Sequence, residues 1–146
     1  WGSNTDRSGL VEDICRHLYR IPTAFKKDGK PIYSVQFSFA TKLVHMIDRS
    51  YPVYDKNVER FFMLPRQGEG LDSILEDRLL SQKFLVNEYK KVIDKGQLKI
   101  AIEAFKETYC GKVINVFTDQ KIIDTLIWRY VASMRKSGLR EGNFSY

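Results

Sequence analysis

Lys42 and Asp55, thirteen positions apart in the stretch FSFATKLVHMIDRSYPVYD, are the residues of this chain whose types and spacing could do chemistry together. A neutral lysine amine attacks a sugar or carbonyl carbon, and a carboxylate close by stabilises the positive charge that develops. On a helix that opens near Phe39, Lys42 falls one position before Leu43 and three before His45, at the edge of the apolar stripe. Partial desolvation there favours the neutral, nucleophilic amine. Pro52 drives Tyr51 out of helical space, so SYPVYD is predicted to turn, and Asp55 then caps the helix KNVERFFML with its carboxylate aimed at backbone N–H groups. The residue types alone leave a second reading open, in which Lys42 snorkels to water and Asp55 is only an N-cap. His45, about one helical turn from Lys42, could relay a proton near neutral pH or simply pack with a hydrogen bond.

Other chemistries lack their usual marks. The sequence contains no phosphate-binding or dinucleotide-binding glycine pattern, no H-E-x-x-H and no G-x-S-x-G. Two cysteines and two histidines cannot assemble a zinc set by themselves, and no loop has the carboxylate spacing of a magnesium or calcium site. No cofactor is implied. Cys15 and Cys110 sit inside helix-like patterns, which suits a reducing compartment and a role as small buried hydrophobes.

The elements that must position the pair are helical. SGLVEDICRHLYR places Leu10, Val11, Ile14, Cys15 and Leu18 on one stripe, with Ser8 as the expected N-cap and Pro22 beyond its end. KKDGKP, residues 26–31, is expected to be a solvated loop. Alternating Val35, Phe37 and Phe39 predict a short extended lead-in before the helix that carries Lys42, and Pro65 with the glycines after it ends the next one. LDSILEDRLLSQKFLVNEYKKVIDKG predicts one bent helix or two, with Ile74, Leu75, Leu79, Phe84, Leu85, Val92 and Ile93 inward and Gly96 at the C-terminus. QLKIAIEAFKETYCG gives another, closed by Gly111. Thr118 is expected to cap a last helix with a wide apolar face, Ile122 to Met134, that stops at Gly138. KVINVF, residues 112–117, looks strand-like. The fold class predicted is all-α, a compact multi-helix domain of six or seven helices spanning 1–146 as a single domain. The chain begins at Trp1, so a longer parent protein stays open.

Composition agrees with a folded, basic domain. A 43% apolar fraction offers enough surface to offset the ordering entropy, and no stretch approaches the roughly 18 apolar residues of a membrane span. No membrane partner is expected, and the expected location is cytoplasmic. A net charge of +6 steers polyanions toward the surface. Lys90, Lys91, Lys95 and Lys99 form one basic cluster and Arg129, Arg135, Lys136 and Arg140 another, each interleaved with acidic residues as a solvated helix face also is.

The segment ATKLVHMIDRSYPVYDKNVERFF resembles the motif of helix-hairpin-helix DNA glycosylases, the 8-oxoguanine type in particular. A Thr-Lys opens a helix, and an apolar Pro-Val turn precedes an aspartate that starts another. The likeness covers about residues 36–63. It implies an all-α fold, a DNA partner, Lys42 as the nucleophile on the sugar of a flipped-out nucleotide and Asp55 as the carboxylate supporting the transition state. His45, Tyr51 and Tyr54 would then lie at the substrate, the tyrosines as walls for the flipped base. Two features depart from the motif. VQFSFA holds no glycine where those enzymes grip a DNA phosphate, and the interval from Lys42 to Asp55 is about one helical turn shorter. A non-catalytic helical module that binds a protein or nucleic-acid partner is the alternative.

Overall fold

The computed structural model describes residues 7–65, 68–110 and 117–136. Helices account for most of them: α1 (Ser8–Leu18), α2 (Phe37–Ile47), α3 (Lys56–Phe61), α4 (Leu71–Asp94), α5 (Lys99–Phe105) and α6 (Asp119–Lys136). None is long and apolar enough to cross a membrane. The 3.6-residue periodicity explains this layout, because each apolar stripe supplies one wall of a shared core. Val11 and Cys15 come from α1, Phe37, Ala40 and Val44 from α2, Leu75, Leu85 and Tyr89 from α4, Ile102 from α5 and Ile122, Ile123 and Ile127 from α6. The short α3 lies chiefly on α6, and α1 rests on α2 and α4. Burial pushes the Cys15 thiol up to about 11, so it is a packing group and not a nucleophile.

Several boundaries differ from expectation for local reasons. Ser8 is the first residue of α1, and the N-cap position belongs to Arg7. α4 is one continuous helix of 24 residues. The lead-in at Val35 forms no strand; its carbonyl accepts from the Arg78 guanidinium of α4 at 3.0 Å. The predicted loop instead closes a small antiparallel hairpin, β1 (Ala24–Phe25) on β2 (Pro31–Ile32), with Ala24 opposite Ile32. Asp28 Oδ1 accepts from the Lys30 N–H at 3.2 Å and Gly29 takes φ 81°, the geometry a tight turn requires. Strands of two residues are too short to register as an alternating pattern. Phe84 and Tyr130, predicted inward, are half-exposed. The strand-like residues 112–116 and the closing Gly111 and Gly138 lie outside the described residues.

Two helix ends show the same physics with different residues. After α4, the Gly96 N–H bonds to the Ile93 carbonyl at 2.9 Å and the Gln97 N–H to the Val92 carbonyl at 3.1 Å, a Schellman pair around a left-handed glycine at φ 63°. After α3, Met63 N–H to Arg60 and Leu64 N–H to Glu59 make the same pair, but the left-handed position, φ 50°, holds a methionine. A side chain there costs about 1 kcal/mol relative to glycine. Met63→Gly is therefore expected to stabilise the domain by about 1 kcal/mol, read as a raised urea midpoint with unchanged slope; an unchanged or lowered midpoint would show that the Met63 side chain returns that energy through contacts in the folded state.

Candidate functional site

The centre of the molecule is the turn that separates α2 from α3. Residues 51–54 are all buried, and the Pro52 side chain is fully enclosed. A buried turn must find partners for backbone groups that water would otherwise serve. Here four side chains from three helices do so. The Thr41 hydroxyl of α2 accepts from the Tyr54 N–H at 3.1 Å and lies 3.4 Å from the Tyr54 carbonyl. His45, one turn further along α2, donates Nδ1–H to the Tyr51 carbonyl at 2.8 Å. Gln82 of α4 donates Nε2–H to the Pro52 carbonyl at 2.7 Å, and Asp124 of α6 accepts from the Val53 N–H at 3.5 Å. The Tyr54 ring meets Phe37 edge to face at 5.1 Å, an arrangement worth about 1 kcal/mol beyond its buried area.

This clamp determines where each predicted site residue lies. Asp55 caps α3 as expected: one oxygen, Oδ1, accepts from the N–H groups of Asn57 at 2.8 Å and Val58 at 3.0 Å. Lys42 is exposed. At about 100° per residue it stands roughly 140° round α2 from Phe37, on the outer face with Phe39 and Met46 and not at the edge of the buried stripe. That stripe is centred on Phe37, Ala40, Thr41 and Val44, so the neighbour of the clamping threonine points away from the turn. No ion pair joins Lys42 to Asp55 among the described residues. Tyr51 and Tyr54 are buried rings of the core, and His45 spends Nδ1 on the turn. The clamp thus brings the backbones at Lys42 and Asp55 together while the amine faces water.

The electrostatic neighbour of Asp55 is a buried pair that the sequence reading passed over. Tyr89 donates its hydroxyl to Asp124 Oδ1 at 2.8 Å. Burial, then the charges of Asp124 and, more weakly, Asp55, hold the Tyr89 phenol far above its usual range. Burial pushes the Asp124 carboxyl up to about 6, against the Tyr89 hydroxyl, the Val53 N–H and the positive fields of Lys121 and His45, which pull it down. The sequence carried a signal for these groups. Gln82 lies in register with Leu75, Leu85 and Tyr89, and Asp124 with Ile127 and Val131, so each is a polar residue on an apolar stripe.

Two clefts open near the turn. The larger, about 370 Å³, is walled by Arg7, Asp48, Tyr51, Lys83, Tyr89 and Lys90 among others. Its charges offset one another, and Arg7 already pairs with Asp48 at 3.5 Å. The smaller, about 180 Å³, has Tyr54, Glu59, Asp77 and Arg78 in its wall. Neither is lined by Lys42 or Asp55. Among the described residues no three His, Cys, Asp or Glu side chains gather as metal ligands. Set against protein-family models, characterised proteins and solved structures, the chain finds no match.

Two measurements test the clamp. Thr41→Val keeps the shape but removes the hydroxyl that accepts from the buried Tyr54 N–H, and is expected to cost about 1–3 kcal/mol in denaturant unfolding. For Asp124 the folded-state value is raised, so the unfolded chain binds fewer protons between 3.8 and about 6. The group's contribution to stability is complete below the ordinary aspartate value and is lost as pH rises through about 6, a swing of about 3 kcal/mol. Asp48, held below its usual range by Ser50 and Arg7, titrates outside that window. Wild type minus Asp124→Asn should therefore show stability rising from pH 7 to pH 5; a flat difference across that range would mean that the carboxylate is not buried as described.

Proposed function

We propose that this chain is a helical nucleic-acid-binding domain built like the helix-hairpin-helix DNA glycosylases. The observation that supports this reading is the local fold of the segment that carries the resemblance. A helix, a buried Pro-Val turn and an aspartate-capped helix follow one another in the order the likeness implies, and the hydrogen bonds between Thr41 and Tyr54 keep Lys42 and Asp55 on adjoining stretches of backbone. The net charge of +6 favours a polyanion, and an exposed lysine meets a phosphate as a compact point charge.

Base excision through Lys42 is the second reading. It is favoured by the carboxylate of Asp55, whose cap uses Oδ1 alone and leaves Oδ2 without a hydrogen bond among the described residues. In that reaction the amine bonds to the sugar carbon as the base departs with the bonding electrons, and the carboxylate offsets the positive charge on the sugar. The exposure of Lys42 makes binding the primary reading and catalysis the secondary one.

Binding of labelled DNA, single-stranded and duplex, across a salt series tests the first reading: log affinity should fall linearly with log salt, with a slope set by the phosphates engaged. Absence of salt-dependent binding to either form would end it. Borohydride trapping on lesion-containing duplexes tests the second; an adduct formed by wild type and lost in Lys42→Ala supports excision, and no adduct from wild type rejects it.

A further inference from the structure

We draw no further inference here: the strongest candidate, the surface patch of half-exposed rings that Phe61 at the end of α3, Phe84 of α4 and Tyr130 of α6 form around Phe62, is an exposed apolar face, and nothing in the structure shows what covers it.

Discussion

The fold depends on keeping the backbone of one proline turn dry. Tyr51 to Tyr54 cross the interior, where each unpaired N–H or C=O would cost as much as a typical destabilising mutation. The molecule meets that demand with polar side chains placed inside helices that are otherwise apolar there: Thr41 and His45 on α2, Gln82 on α4 and Asp124 on α6. The bonds from Gln82 and Asp124 reach the turn from helices far away in the chain, so together with those from α2 they fix where α2, α4 and α6 stand relative to one another as well as satisfying the turn. Oily contacts alone would hold those helices together but would tolerate sliding.

That arrangement explains which parts of the architecture could be read from the amino-acid order. Helix existence was legible because apolar residues recur at helical spacing, and so were the ends that use local chemistry, such as Asp55 at α3, Gly96 after α4 and Thr118 at α6, whose hydroxyl accepts from the Lys121 N–H at 3.2 Å. The turn was legible from Pro52. Its burial was not, because burial depends on partners 30 and 71 positions away, Gln82 for Pro52 and Asp124 for Val53. The same limit governs Lys42. Its place near an apolar stripe follows from spacing, but which side of that stripe faces the core is decided by where the turn pulls Thr41.

A hydrogen bond to Tyr54 turns Thr41 inward, and helical geometry then carries Lys42 outward by about 100°. The two residues cannot both face the turn. The local device that draws Lys42 and Asp55 together along the backbone is thus the one that sends the lysine to solvent, while the Tyr54 ring packs edge to face on Phe37 of α2. Any chemistry at Lys42 would take place on the outer face of α2, among Phe39 and Met46, with a substrate that comes to the surface.

Phe84 and Tyr130 show the complementary case, in which spacing suggested core and the structure leaves surface. Both belong to wide apolar faces, and a helix in a domain of this size cannot bury more than the arc its neighbours cover. α3 is short and lies chiefly on α6, so it leaves most of α4 beside Phe62 uncovered, and the rings flanking that contact stay open to water. A longer α3 would have sealed them. Its end is instead set at Met63 by a Schellman pair that glycine would form more cheaply.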